Sequence, residues 1–282
     1  GGGRDRFFPN TLADTEDTNA MGRRTDGRNL VEEWLAGSNS SAYVWNAEQF
    51  AALDLANTTR LFGLFERDHM EYELDRERDA AGEPSLAEMT TAAIEVLEQN
   101  SNGFILMVEG GRIDHAHHAG NAARALADTV AFDNAVQAAM ASVDLDETLI
   151  IVTADHGHTL TINGYPGRGN PILGLAADST GLLLASDNKP YTTLSYANGP
   201  GAIPGERADL TNVDTTSIDF LQPALVPIGS ETHSGEDVGI FAQGPYAHLF
   251  SGVVEQNYIY HVMAFASQIP ARAAANSLAL AQ

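Results

Sequence analysis

The stretch Phe104-Ile-Leu-Met-Val-Glu-Gly-Gly-Arg-Ile-Asp-His-Ala-His-His118 decides how this chain folds. Phe104 to Val108 is an unbroken apolar run of the length of a buried strand, and it ends in a carboxylate, Glu109. Gly110 and Gly111 make a turn, and a helix follows. Asp114 and His118 are four residues apart, so on that helix they share one face. A carboxylate and an imidazole presented together at the end of a strand form half of a tetrahedral zinc site. The rest of the chain has to supply the other ligands.

Working outward, the helix is expected to run to about Met140, with Leu126, Val130, Val136 and Met140 near helical spacing. A second apolar strand, Thr148 to Thr153, comes next. Before the opening strand, Ser85 to Asn100 is a well-marked helix. Pro84 precedes it, Ser85 and Glu88 form a capping box, and Met89, Ala93, Val96 and Leu97 share a face. Helix, strand, helix, strand with continuous apolar runs predicts an α/β fold: a largely parallel central sheet with helices on both faces, of which this chain supplies part.

Towards the N-terminus, Thr11 to Gly27 is polar and turn-rich. Asn29 caps a short helix to Leu35, and Asn46 caps another over 47–55. Ala42 to Trp45 and Arg60 to Phe65 read as strands, and Glu66 to Glu83 as an exposed, charged segment. From Asn163 to Ser230 the texture changes: Gly and Pro are frequent, helical periodicity is weak, and short strand-like pieces appear at 181–185 and 191–196. Asp237 to Ala242 is a returning strand, Val254 to Ile269 a closing helix, and the Ala-rich end beyond it is expected to fray. The organisation is therefore a core over 1–162, an insertion over 163–230, and a return to the core over 231–282.

The chain has 282 residues, no Cys and a net charge of -23, and Lys189 is its only lysine. Nucleic acid is excluded as a partner, because phosphate backbones need clustered cations. No apolar run reaches the roughly 20 residues of a membrane span. A metal would have to sit on histidines and carboxylates. The acidity fits a solvated surface and equally one adapted to high salt. The chain opens Gly1-Gly-Gly-Arg4 with no Met and no targeting segment, which reads as the middle of a longer polypeptide or an added leader.

The nine histidines are grouped. His115, His117 and His118 lie in the opening stretch. His156 and His158 follow the second strand in Thr153-Ala-Asp-His-Gly-His158, and His233 precedes the third in Glu231-Thr-His-Ser-Gly-Glu-Asp237. His69, His248 and His261 lie outside and are given no role. Each cluster alone has a plain structural reading: a chance Asp–His pair, a cap with a satisfied histidine, a lone structural histidine. Three clusters at strand ends together favour metal, because ligand sites in open α/β sheets form there. Two zinc ions roughly 4 Å apart would clamp the attacking and leaving oxygens of a displacement at phosphorus. Magnesium would prefer the carboxylate of Glu109 and several waters.

These residues carry a resemblance. Glu109 to His118, Thr153 to His156 and His233 to Asp237, in that order, resemble the alkaline phosphatase family. Gly164 to Asn170, Tyr196 to Pro200, Glu255 to Tyr258, Gly1 to Arg4 and Leu64 to Glu66 are similar to its animal-type branch, so the similarity covers essentially the whole chain. The resemblance implies that Asp114, His118 and His233 hold one zinc, that Asp155 and His156 hold a second, and that Glu109 holds magnesium. His115 would tune the magnesium site through its water shell, and His158 would be a further contact or stand behind the ligands. It also implies a fourth, calcium-like site on Glu16, the Phe65 carbonyl, Glu66 and Glu83, with a solvated acidic loop as the competing reading.

By the same resemblance the protein hydrolyses phosphate monoesters through a phosphoserine intermediate. It is a homodimer joined through a crown domain over 163–230, and it is periplasmic or secreted. The family's nucleophilic serine lies in an N-terminal half that has no counterpart here. Asp178-Ser-Thr180 looks superficially like a nucleophile motif but follows no strand. The chain is therefore expected to work only beside that half. The alternatives are a non-catalytic metal-binding fragment and a related phosphodiesterase or sulfatase.

Overall fold

The computed structural model describes residues 1–269, 271 and 273. The Ala-rich end beyond them, expected to fray, lies outside the described residues. The chain divides into two compact units. The first comprises Gly1–Ala139 and His158–Ser234, the second Met140–Gly157 and the stretch from Gly235.

In the first unit, local capping chemistry sets the early helices. Asn29 accepts from Val31 and Glu32 N–H to start α1, Leu30–Ala36. Asn46 accepts from Gln49 N–H to start α2, Ala47–Ala51. Ser85 and Glu88 close a reciprocal capping box at the head of α3, Leu86–Leu97. The strands Ser41–Val44 and Arg60–Gly63 pair in parallel. Phe8, Val31 and Leu64 form a buried core there, with Phe7, Tyr43 and Phe62 against it. The apolar face of α3 (Met89, Ala93, Val96 and Leu97) lines a cavity of about 330 Å³ together with Phe50 and Phe65.

The fully buried Arg4 ties the N-terminal turn down. Its guanidinium donates to both oxygens of Asp14, to Glu16, and to the carbonyls of Leu64 and Phe65. A buried arginine is tolerated when its donors are used in this way.

Two expectations about the opening stretch change. Residues 104–108 form no ladder among the described residues, and Ile105 and Met107 are exposed. A run that is apolar on both faces is buried only when strands pair beside it, and the described residues bring none there. The long helix is also two: α4, Arg112–His118, and α5, Ala122–Ser142. The break falls at Gly120, whose φ of 68° is left-handed and suits glycine. The buried Asn121 then caps α5. Its side chain accepts from Arg124 N–H and donates to the carbonyl of Ile218. Gln222 secures the same corner, accepting from Ala122 N–H while its own N–H donates to Gly120.

The stretch from 160 to 227 builds a three-stranded sheet. Leu160–Ile162 runs antiparallel to Leu194–Gly199, which pairs in parallel with Ala224–Pro227. A two-residue hairpin ladder joins Ala177–Asp178 to Gly181–Leu182.

In the second unit, Ile150–Thr153 pairs antiparallel with Ile240–Gln243, Val152 standing opposite Phe241. The closing helix α6 is Tyr258–Ser267. The fold is thus α/β with mixed sheets. The parallel pairing expected from sequence holds at 41–44 and 60–63, and the return strand runs the other way.

Candidate metal centre

Gly110 and Gly111 turn the chain into α4. A side chain at Gly110 would meet Ile113 and the ring of Phe132 on α5 at 3.1–3.3 Å, so the turn is closely packed there. Asp114 and His118 then fall one turn apart on α4, with Asp114 Oδ2 and His118 Nε2 3.4 Å apart. His233 arrives from far along the chain. Its Nε2 lies 3.1 Å from His118 Nε2 and 3.2 Å from Asp114 Oδ1. His158 Nε2 is 3.0 Å from that same oxygen.

These separations have a physical meaning. A tetrahedral zinc with bonds of about 2.0–2.1 Å has ligand–ligand edges of about 3.3 Å. His118 and His233 stand at such an edge from one another, Asp114 comes as near to each through a different oxygen, and one carboxylate with several imidazole nitrogens is a donor set for a borderline divalent ion. The residues therefore fit the metal. Burial disfavours the Asp114 charge, but the imidazoles of His118, His158 and His233 outweigh it and hold the carboxyl below its usual range.

Behind this group stands Glu231, which is fully buried. One of its carboxylate oxygens lies 2.7 Å from His158 Nδ1. The other accepts from the backbone N–H and the hydroxyl of Thr159 at 2.6 and 2.7 Å. Its backbone carbonyl accepts from His118 Nδ1 at 2.6 Å, and its N–H donates to the His118 carbonyl. His117 stacks on His158 with ring centroids 4.7 Å apart and bonds the hydroxyl of the buried Tyr196 at 2.8 Å. Burial, then the neighbouring His158, pushes the His117 imidazole down to about 4. Glu231, His117 and Tyr196 had no assigned part in the sequence reading. The spacing of two between Glu231 and His233 is the signal that would have found the first, since residues two apart on extended chain share a face.

The remaining sequence candidates are placed as follows. Glu109 is exposed beside Gly111 and joins no convergent ligand group among the described residues. His115 lies against His69 with ring centroids 4.3 Å apart, so His69 is a neighbour of the site's helix. Burial, then the charges of His69 and Arg112, lowers the His115 pKa. Asp155 and His156 belong to the second unit, just after the strand Ile150–Thr153. There His156 Nε2 is 3.3 Å from Asp155 Oδ2, and Asp155 is exposed.

A second carboxylate group lies on the rim of a cavity of about 570 Å³. Glu16, Glu66 and Asp79 converge there. Asp79, not Glu83, is the third member. Glu83 is buried and accepts from Glu71 N–H at 3.1 Å. Burial first, then the neighbouring carboxylates, pushes Glu66 up to about 7 and Glu83 to about 8. The Phe65 carbonyl already accepts from Arg4 at 3.0 Å, which leaves one lone pair for another partner.

The family model for alkaline phosphatase matches residues 1–269. The chain belongs to the alkaline phosphatase family. Among curated relatives it is 46% identical over 279 residues to the tissue-nonspecific alkaline phosphatase isozyme of Felis catus, covering 96% of this chain and 52% of that protein. It is 44% identical to the corresponding isozyme of Homo sapiens, with the same coverage. It spans about half the length of these relatives. Among solved structures, the alkaline phosphatase of Thermus thermophilus superposes with a TM-score of 0.61 at 26% identity, covering 94% of this chain and 61% of that one. An alkaline phosphatase from Shewanella sp., at 21% identity and a TM-score of 0.56, shares the fold. Among the described residues no helix is long and apolar enough to cross a membrane.

Proposed function

We propose that this chain is the metal-holding part of an alkaline phosphatase that hydrolyses phosphate monoesters. The observation that carries the reading is the convergence of Asp114, His118 and His233 at separations of 3.1–3.4 Å, in a chain of this family. Asp114, His118 and His233 would hold one zinc. Asp155 and His156 would hold a second, and Glu109 a magnesium. Bound there, the metals supply Lewis-acid stabilisation for charge on the attacking and leaving oxygens of phosphoryl transfer.

The residues of this chain set up that chemistry. Asp114 brings negative charge to the imidazole cluster and offers a different oxygen to each side. His118 and His233 present Nε2 atoms towards it. The nucleophilic serine, with its phosphoserine intermediate, is assigned to a part of the enzyme outside this chain. Glu16, Glu66, Asp79 and the Phe65 carbonyl would hold a calcium ion, since hard oxygen donors suit it. Glu83 would support that site from behind.

The segment 163–230 is assigned to a crown domain at a homodimer interface. Its exposed apolar residues, among them Tyr165, Leu184, Ile203 and Leu225, support this reading. Periplasmic or secreted placement goes with the same assignment.

The test is a chimera that joins the N-terminal half of the human tissue-nonspecific isozyme to this chain. The chimera is expected to hydrolyse p-nitrophenyl phosphate, to prefer it over the bis-ester and the sulfate, and to lose activity on Asp114→Ala. Preference for the diester or the sulfate would support the phosphodiesterase or sulfatase reading, and full activity of this chain by itself would contradict the assignment of the serine outside it.

A further inference from the structure

We infer that Glu231 is the positioning residue of the zinc group, acting on it through two separate arms. The inference rests on the zinc reading above and adds a residue that reading does not need. The first arm is backbone. The Glu231 carbonyl accepts from His118 Nδ1 at 2.6 Å, while its N–H donates to the His118 carbonyl. The second arm is the side chain. Glu231 Oε2 lies 2.7 Å from His158 Nδ1, and His158 Nε2 lies 3.0 Å from Asp114 Oδ1.

Each arm takes up a ring Nδ1 and leaves the corresponding Nε2 facing Asp114. A carboxylate or carbonyl accepts and cannot donate, so it fixes the proton on Nδ1 of both rings. For His118 this leaves the Nε2 lone pair for a metal. The Asp114 carboxylate likewise only accepts, so His158 bridges the two carboxylates as a donor at both ring nitrogens, and its Nε2–H sets the orientation of Asp114. Partners of this kind fix the tautomer and direction of metal ligands.

The side chain of Glu231 is itself over-determined, which lets it serve as a reference point. Its second oxygen accepts two bonds from Thr159, it is 1% exposed, and His117 with Tyr196 closes the far side of the His158 ring. A buried carboxylate is expensive unless its lone pairs are used. Here they are used by the elements that carry the zinc group.

The test is zinc affinity of the 282-residue chain, read by competition with a chromophoric chelator, for the parent, Glu231→Gln and Asp114→Ala. A glutamine accepts through one atom only, so it turns an N–H₂ towards either His158 or Thr159. The backbone arm to His118 survives this substitution, so the loss is routed through His158. Glu231→Gln is expected to weaken zinc about 10–100-fold, the range for lost partners behind metal ligands. It is also expected to remove the hydrogen-bonded His158 Nδ1–H signal from the proton NMR spectrum.

Zinc affinity within twofold of the parent, with Asp114→Ala strongly weakened, overturns the positioning role and leaves the metal site standing. Unchanged affinity in Asp114→Ala overturns the metal site and this inference with it. Nitrogen NMR of the parent needs no variant: Nδ1 is expected to be protonated in both His118 and His158, and an unprotonated Nδ1 on either ring overturns the inference. A merely structural role for Glu231 would lower the melting temperature while leaving zinc affinity unmoved.

Discussion

His118 Nδ1 lies 2.6 Å from the backbone carbonyl of Glu231, across 113 residues of chain. The contact joins the end of α4 to the segment that carries His233. It explains how a histidine so distant in sequence comes to share a site with Asp114. It also defines which nitrogen of His118 is left to face its neighbours.

Removing the most exposed member of the group tests its composition. His233→Ala deletes a ring held at 3.1 Å from His118 and 3.2 Å from Asp114 without opening a buried hole. The variant is expected to fold normally, with an unchanged circular dichroism spectrum, and to bind less zinc per chain by atomic absorption. An unchanged zinc stoichiometry removes His233 from the site.

Arg4 is the most heavily bonded buried cation in the first unit. Arg4→Met leaves Asp14, which is 2% exposed, as an uncompensated buried charge. Breaking a buried pair in this way costs about 3–5 kcal/mol. Chemical denaturation is expected to show a loss of that order. Arg4→Lys is expected to recover little of it, since an ammonium cannot reproduce the forked contacts.

Asp128 on α5 gives a pH signature of its own. Burial raises its carboxyl to about 6; the N–H of Glu73 and the charge of Arg112 oppose the shift, and Glu73 and Asp75 add to it. A carboxyl whose folded pKa is raised contributes stability that is present below the unfolded value of about 4 and is lost as pH rises to about 6. Asp128→Asn removes this penalty while keeping an acceptor for Glu73 N–H. The variant is expected to match the parent's melting temperature near pH 4 and exceed it at pH 7. Equal melting temperatures at pH 7 contradict the argument.

The carboxylates around Glu66 and Asp79 follow the same sign. With Glu66 raised to about 7 and Glu83 to about 8, the metal-free chain loses stability as pH climbs from about 4.5 through those values. A divalent ion held by Glu16, Glu66 and Asp79 would replace the protons. Calcium is therefore expected to raise the melting temperature more at pH 8 than at pH 5, and Asp79→Asn to abolish most of that rise. A calcium effect that is the same at both pH values, or unaffected by Asp79→Asn, counts against the site.

What could be read from sequence was mostly local. The caps at Asn29, Asn46 and Ser85 are decided within four residues, and the Asp114–His118 pairing by one helical turn. The break at Gly120 was harder, because it depends on Gln222 and Ile218 from a hundred residues away. Glu231 lay inside a quoted motif, yet a carboxylate's work is invisible until the rings it faces are placed. Residues 104–108 show the converse limit. An apolar run states what a segment could bury but not which strands lie beside it. Asp79 was passed over for Glu83 because both sit in one charged segment, where spacing does not say which side chain faces Glu16 and Glu66.

The central claim is that Asp114, His118 and His233 hold a zinc ion. An anomalous-difference map collected at the zinc edge, from crystals grown with zinc, tests it most directly. A peak is expected within coordination distance of Asp114, His118 Nε2 and His233 Nε2, at about 2.0–2.2 Å from each ligand atom. A zinc-loaded crystal with no peak among these three residues would contradict the account.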